Sequence, residues 1–311
     1  MRRPDDCSLT AVLGVMLWLL PACGAPPPDR TRFATPEDAA KSLMKGLETS
    51  NPQALKAIFG PNAEQDFSSG DPVSDRHDRE VIALAMAQSW RWTPLGDDRR
   101  ELVIGDEQWP FPVPLVKVDD GWQFDTDAGK EEMLSRRIGR NELRVIDLCR
   151  AYVLMQQEYA SQPRDGKLAG LYAQQLRSDP GRQNGLYWEV GPEERSSPLG
   201  DLAATATTEG YDEHKSAATP FYGYYFRVLT AQGAAAKGGA KDYVVNGEMS
   251  GGFGLIAYPA EHGRSGIMTF MVNQDGVVYE SDLGEATAKT ALELKAFDPD
   301  AAWSEVKVPA S

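Results

Sequence analysis

Segments with helical periodicity precede strand-forming segments twice along this chain. The first block opens with stretches in which apolar residues recur every three or four positions, at residues 36–47, 52–59 and 75–92. Short runs rich in β-branched and aromatic residues follow at residues 101–104, 110–118 and 122–125. The turn Asp119-Asp120-Gly121 joins the last two runs as a hairpin. Because helices and strands are segregated instead of alternating, the sequence predicts an α+β fold.

The first block, residues 33–130, ends its meander in Gly121-Trp-Gln-Phe-Asp. This order of helices and strands resembles the ketosteroid-isomerase-like (nuclear-transport-factor-like) roll, in which a curved sheet wraps a long helix. The resemblance implies a ligand pocket with an acid in an apolar setting, for which Asp125 is the candidate, with Trp122 and Trp109 beside it. The alternative is that Trp-x-Phe-Asp simply ends a strand with a capped turn.

The second block, residues 131–311, begins with helical residues 131–137 and, after an interruption at Gly139, a longer helix at residues 141–159. Strands and one short final helix follow, at residues 221–229, 252–259, 267–272, 277–279 and 286–295. A long helix before an antiparallel sheet resembles the globular part of type IV pilins and type II secretion pseudopilins. The apolar N-terminal helix through which pilins polymerise is missing, so fibre assembly through such a stalk is not expected.

The first 22 residues have the composition of an export signal. Arg2 and Arg3 supply positive charge ahead of an apolar run at residues 9–20. This run is too short to span a bilayer as a helix, which needs roughly 20 apolar residues. We therefore expect residues 1–22 to be a removable signal peptide.

The end of this signal, Leu20-Pro-Ala-Cys23, resembles the bacterial lipobox. The resemblance implies that a diacylglycerol is attached to the thiol of Cys23 and anchors the protein, with Gly24 after it matching transfer to the outer membrane. Residues 23–32, which are rich in proline, are then an extended tether. The alternative is ordinary cleavage near Ala22, with no lipid.

Charge and cysteine content exclude several classes of protein. The chain has 46 acidic and 32 basic residues, a net charge of −14, and so lacks the basic surface that nucleic-acid binding requires. The same negative charge disfavours electrostatic docking on anionic lipid. We therefore expect the protein to attach to a membrane through the lipid on Cys23. Cys7 leaves with the signal, so Cys149 has no disulfide partner and is predicted to be a small buried hydrophobe.

No motif with a known catalytic mechanism stands out. The only histidines are His77, His214 and His262, and no two of them have the i, i+4 spacing of a zinc site. Neither a Gly-x-Ser-x-Gly elbow nor a phosphate-binding loop occurs. We therefore predict no catalytic residue, no metal site and no cofactor.

Long phrases spread from residue 33 to residue 303 carry a resemblance to one bacterial family. They include Phe33-Ala-Thr-Pro-Glu-Asp-Ala-Ala, Trp109-Pro-Phe-Pro-Val-Pro-Leu-Val, Arg136-Arg-Ile-Gly-Arg-Asn-Glu-Leu, Tyr222-Gly-Tyr-Tyr-Phe-Arg-Val-Leu, Asp242-Tyr-Val-Val-Asn-Gly and Phe297-Asp-Pro-Asp-Ala-Ala-Trp. Together they resemble the family called domain of unknown function 2950, over nearly the whole mature chain. The resemblance implies a secreted envelope protein and brings no activity with it.

Two functions are compatible with these features. The first is a non-enzymatic envelope lipoprotein that acts as a binding or assembly module, with another envelope protein as its partner. The second is a small-ligand binder or enzyme that uses a pocket in the N-terminal roll. A roll filled by its own side chains favours the first function, and a pocket with converging polar groups favours the second.

Overall fold

The computed structural model describes residues 30–49, 51–68, 72–191, 196–208 and 220–307. The predicted signal peptide, Cys23 and His214 lie outside these residues, and the predicted tether is described only from Arg30 onward. Within the described residues, helices and mainly antiparallel sheets occupy separate stretches of the chain, which confirms the predicted α+β class.

The first half of the fold consists of helices followed by a small sheet. Its helices are α1 (Pro36–Glu48), α2 (Pro52–Phe59), α3 (Ala63–Phe67) and α4 (Pro72–Gln88). Its strands are β1 (Trp90–Pro94), β2 (Arg99–Ile104), β3 (Trp109–Pro110), β4 (Leu115–Val118) and β5 (Gly121–Phe124). The strands pair antiparallel in the order β1-β2-β4-β5, with β3 on β2.

Local capping signals set the starts of the first two helices. The side chain of Thr35 accepts a hydrogen bond from Asp38 N, and Pro36 occupies the first turn of α1. The side chain of Asn51 accepts a hydrogen bond from Gln53 N at 3.0 Å and so caps the start of α2. These side chains satisfy N–H groups that have no partner within the helix.

The stretch from Trp90 to Trp92 was predicted to continue the preceding helix, and this prediction is wrong. Helix α4 ends at Gln88, and Trp90–Pro94 forms β1. Trp90 and Trp92 pack against the apolar core while Arg91 between them is exposed, which is the alternation of a strand. The predicted hairpin is confirmed: β4 pairs with β5, and Asp119 takes the positive φ of 51° that its turn requires.

Helix α5 (Thr126–Ala160) is the longest element and contacts both halves of the molecule. Met133, early in the helix, packs against the first core, whereas Val145 and Tyr152 belong to the second. The predicted border between residues 130 and 131 falls within this helix. Among the described residues, no helix is both long enough and apolar enough to cross a membrane.

The predicted interruption at Gly139 is wrong, because α5 is continuous over 35 residues. A single glycine costs a helix only about 1 kcal/mol relative to alanine, and packing on both sides of it outweighs that cost. Gly129 has a different role. A Cβ there would lie 2.6 Å from Cγ2 of Val113, so only glycine lets α5 approach the first core this closely.

The second half builds its core on one five-stranded antiparallel sheet. The sheet has the order β17-β15-β14-β13-β8 and consists of β8 (Tyr224–Leu229), β13 (Gly254–Pro259), β14 (Met268–Asn273), β15 (Val278–Asp282) and β17 (Ser304–Glu305). Short elements surround it: β6 (Gln175–Arg177), β7 (Gly185–Tyr187), α6 (Gly200–Thr208), β9 (Ala231–Gln232), β10 (Lys241–Asp242), β11 (Val244–Val245), β12 (Glu248–Met249), α7 (Thr287–Glu293) and β16 (Ala296–Phe297).

Helices cover the two faces of this sheet. Tyr224 and Arg227 lie three residues apart on β8 and therefore point to opposite faces. The Tyr224 hydroxyl lies beside Glu142 of α5, whereas Arg227 donates to the carbonyl oxygens of Ala291 and Leu294 at the end of α7. The sheet thus packs on the second part of α5, as the pilin comparison requires. The pilin-like and roll-like resemblances themselves stay predictions.

Candidate functional site

The three residues predicted to line a pocket each have a structural partner. Asp125 caps α5, since its carboxylate accepts from Ala128 N at 3.1 Å. The guanidinium of Arg100 lies over the Trp122 ring at 4.9 Å from its centroid. Trp109 is 38% exposed and lies under Arg136, 5.2 Å from the ring centroid. Cation–π contacts of this kind hold both indoles against the surface of the first half.

Aromatic side chains fill the interior of the first half around Phe124, which is fully buried. Four rings lie within 6.4 Å of the Phe124 ring, centroid to centroid: Phe33, Phe59, Trp92 and Phe111. Leu43, Leu102 and Leu115 belong to the same cluster. The space between the helices and the sheet near Phe124 is therefore occupied by side chains, which favours the binding-module hypothesis.

The two histidines in the described part of the chain, His77 and His262, lie on different elements. His262 Nε2 is 2.8 Å from Oδ1 of Asp282, and the same oxygen accepts from Gly284 N at 2.8 Å. The Gly284 N–H and then the His262 ring hold the pKa of the Asp282 carboxyl below its usual range. His77 lies on α4. The described residues include no group of three or more His, Cys, Asp or Glu side chains placed to hold a metal ion.

Cys149 is buried in the second core, as predicted. Burial raises the pKa of its thiol to about 12, because the thiolate would be desolvated there. Reactivity requires the thiolate, so Cys149 acts as a small apolar side chain in the folded protein.

A polar groove opens where the two halves of the molecule meet. Its volume is about 470 Å³, and its walls come from α2, α3 and the loop that follows β13. The lining residues are Lys56, Pro61, Asn62, Glu64, Gln65, Ser68, Glu261 and Arg264. We did not predict this groove, because its residues come from loops and helix ends about 200 positions apart and share no motif.

Two arginines fix the wall of the groove that α3 forms. Arg264 donates to the carbonyl oxygens of Gln65 and Ser68, each at 3.2 Å. Arg137, which is buried, donates to the carbonyl oxygens of Ser68 at 2.9 Å and of Phe67. Burial lowers the pKa of Arg137, yet a guanidinium keeps its proton at neutral pH. Carbonyls at the end of α3 are thereby satisfied by side chains from α5 and from the second half.

The groove carries charge of both signs in exposed pairs. Lys56 lies 3.0 Å from Glu64, and Glu261 lies 3.3 Å from Arg264. Exposed ion pairs contribute about 0–1 kcal/mol each, so Lys56, Glu64 and Glu261 exchange partners at little cost, while Arg264 stays bound to the carbonyls of Gln65 and Ser68. A ligand that presents both a carboxylate and an ammonium group can therefore replace the internal partners on both sides of the groove.

Comparison with known proteins gives a family and no activity. The family model described as a protein of unknown function (DUF2950) matches residues 30–306. No curated protein and no solved structure gives a significant match. The match covers the first and second halves alike, in agreement with the resemblance carried by the sequence phrases. The chain therefore belongs to the DUF2950 family.

Proposed function

We propose that this protein is an exported, lipid-anchored envelope protein that binds a charged segment of a partner polypeptide in the groove between its two halves. The leader sequence and the lipobox-like Leu20-Pro-Ala-Cys23 support export and anchoring. The groove supports binding. The protein is then a binding module and not an enzyme, and its partner is another component of the envelope.

The observation that carries the proposal is that two exposed ion pairs line the groove, whose α3 wall Arg137 and Arg264 hold in place. Glu64 and Lys56 come from the first half, and Glu261 and Arg264 from the second. A polypeptide segment with charges of both signs complements this arrangement, because each of its charges finds an opposite charge already in place. The aromatic filling of the first half favours this site over the predicted pocket at Trp109, Trp122 and Asp125.

The groove also lies close to the point where the chain leaves for its anchor. Thr31 N donates to Ala57 O at 2.7 Å, and the side chain of Arg30 runs past Gly60, next to Pro61 in the groove wall. The stretch from Cys23 to Arg30 reaches at most about 25 Å when extended. A lipid on Cys23 would thus keep the groove near the membrane surface, where a membrane-associated partner is within reach.

The anchor is tested by fractionation of cells that express the full chain or its Cys23→Ser variant. We expect the full chain in the membrane fraction and the variant in the soluble periplasmic fraction. A variant that stays with the membrane to the same extent would refute lipid anchoring through Cys23.

Binding is tested with a photo-cross-linking amino acid at Gln65, an exposed residue of the groove. The control carries the same amino acid at Asp97, an exposed residue of the β1–β2 turn. We expect one cross-linked protein of defined mass from Gln65 only, and its loss when Lys56→Glu is added. Equal cross-linking from Asp97, or indifference to Lys56→Glu, would contradict the proposed site.

A further inference from the structure

Helix α5 has an outward face that faces solvent in the described structure, apart from Arg140 at one end, which pairs with Asp78 of α4. From residue 140 onward, its most exposed residues are Arg140, Leu143, Asp147, Leu154 and Gln157. The side chain of Arg150 belongs to the same face and is 37% exposed. The remaining positions on this part of the helix are buried or half-buried, since the sheet of the second half packs against them.

These six residues form one stripe along the helix, which we call the α5 seam (Arg140, Leu143, Asp147, Arg150, Leu154 and Gln157). Their spacing alternates between three and four residues, which keeps every member on one side of a helix. This is the spacing by which two helices pack at a crossing angle of about 20°. Leu143 and Leu154 are 64% and 66% exposed, although both are large apolar residues.

The positions of the seam residues are symmetric about one point of the helix. Its centre lies between Leu148 and Cys149, and each member has a counterpart at equal distance on the other side. Leu143 is the counterpart of Leu154, Asp147 of Arg150, and Arg140 of Gln157. Two antiparallel copies related by a two-fold axis at that centre would place each residue opposite its counterpart, which is the self-complementarity that a two-fold interface needs.

We propose that a second copy of this chain docks on the α5 seam, so that two α5 helices pack antiparallel about a two-fold axis at residues 148 and 149. Leu143 then contacts Leu154 of the second copy at both ends of the seam, and all four leucines leave water. Asp147 lies opposite Arg150 of the second copy on either side of the axis. Attraction between opposite charges fixes both the direction and the register of the two helices.

The charges of the seam have partners in the single chain, Asp78 of α4 for Arg140 and each other for Asp147 and Arg150. Asp147 and Arg150 are 3.1 Å apart within one helix. In the dimer the two pairs meet at the axis and form a cluster of two positive and two negative groups. A parallel arrangement would instead place Asp147 beside Asp147 and Arg150 beside Arg150, so the charges select the antiparallel one. The proposal rests on neither the groove nor the lipid anchor.

Charge reversal and mixing test the proposal on the full chain, purified in mild detergent, with its mass measured by light scattering. Asp147→Arg and Arg150→Asp each bring like charges together and should weaken the dimer at least about tenfold. A mixture of the two variants should regain it, because arginines of one chain then face aspartates of the other. The double variant Asp147→Arg/Arg150→Asp should also dimerise.

The matched control is Glu131→Arg, which reverses an exposed charge on α5 outside the seam and should leave the mass unchanged. Circular dichroism checks that each variant folds. A wild-type chain that is monomeric at about 100 μM, where a dimer of even modest affinity forms, would overturn the proposal. So would single variants that dimerise like the wild type, or a mixture that fails to regain the dimer.

Discussion

The two cores of this protein accommodate polar groups in different ways. The first is built from aromatic and aliphatic side chains around Phe124. The second contains buried amides and hydroxyls that bond to one another and to the backbone. An apolar core discriminates between structures mainly by volume, whereas a buried polar network accepts only arrangements that satisfy every donor and acceptor.

Two amide side chains organise the polar network of the second core. Gln156 on α5 donates to Ala173 O and accepts from Ala173 N, at 2.9 and 2.8 Å. Its Nε2 also lies 2.9 Å from the Tyr152 hydroxyl. Gln232 accepts from Tyr243 at 3.0 Å and from Asn273 at 3.3 Å. Gln156 thus ties α5 to the segment at Ala173, and Gln232 ties β9 to β14, whereas the aromatic core aligns its elements mainly by shape.

The largest effect should come from Phe124→Ala in the first core. The truncation removes a ring that contacts four others, and we expect a loss of about 3–5 kcal/mol in the free energy of unfolding. Urea titration followed by tryptophan fluorescence measures it. Phe124→Leu is the control and should cost less, because it leaves a smaller cavity. A loss below about 1 kcal/mol for alanine would mean that Phe124 is not the centre of this core.

In the second core, Gln156→Leu preserves much of the volume but leaves the N–H and C=O of Ala173 without partners. We expect a loss of about 2–3 kcal/mol from these two buried groups. In a chain that also carries Cys7→Ser and Cys23→Ser, labelling of Cys149 by a thiol reagent reports this opening. Gln53→Leu, at an exposed site on α2, is the control. Unchanged labelling would show that side-chain packing, and not the hydrogen bonds of Gln156, stabilises this core.

A pH-dependent effect is expected at Glu280 on β15. Burial, and then the nearby Glu142, raise the pKa of Glu280 above its ordinary value of 4.5. The folded state thus holds a carboxylate at a cost when the pH lies above the folded pKa, and protonation removes the cost as the pH falls. Glu280→Gln should raise the Tm at pH 7 and leave it unchanged below pH 4.5. The exposed Glu285→Gln is the control, and an equal rise for both variants would contradict the role of burial.

The smallest effect should come from the surface, where the two halves are alike. Lys167 and Glu248 are 2.9 Å apart, but both side chains are more than a third exposed. A double-mutant cycle with Lys167→Ala and Glu248→Ala should give a coupling of about 0–1 kcal/mol, as should Lys56 and Glu64 in the first half. A coupling above about 2 kcal/mol in only one half would extend the contrast between the cores to their surfaces.

Sequence reasoning succeeded where a structural feature depends on neighbours along the chain. Thr35 and Asn51 cap helices, and Asp119-Asp120-Gly121 forms a hairpin turn, because the bonds involved span two to four residues. It failed at Trp90 and Gly139, where packing against distant residues overrode the local pattern. The helix α5 continues through Gly139 because it packs on both cores.

The candidate groove could not be found from the sequence for the same reason. Arg137 and Arg264 act on backbone carbonyls 69 and 199 positions away, and a backbone acceptor leaves no trace in residue identity. Lys56 and Glu261 resemble any other charged surface residue until the fold brings their loops together. The α5 seam is different, since its periodic spacing is visible in the sequence once the buried face of the helix is known.

The continuity of α5 has a consequence for inheritance. Its 35 residues form one rod of about 52 Å that supplies side chains to both cores, so no point within it separates two self-sufficient pieces. A recombination event within the coding sequence of this helix would join part of the helix from one protein to part from another, and each core would then lack its own contacts with α5. We therefore expect the two halves to have been passed on together, as one gene segment, and not exchanged between genes as separate cassettes.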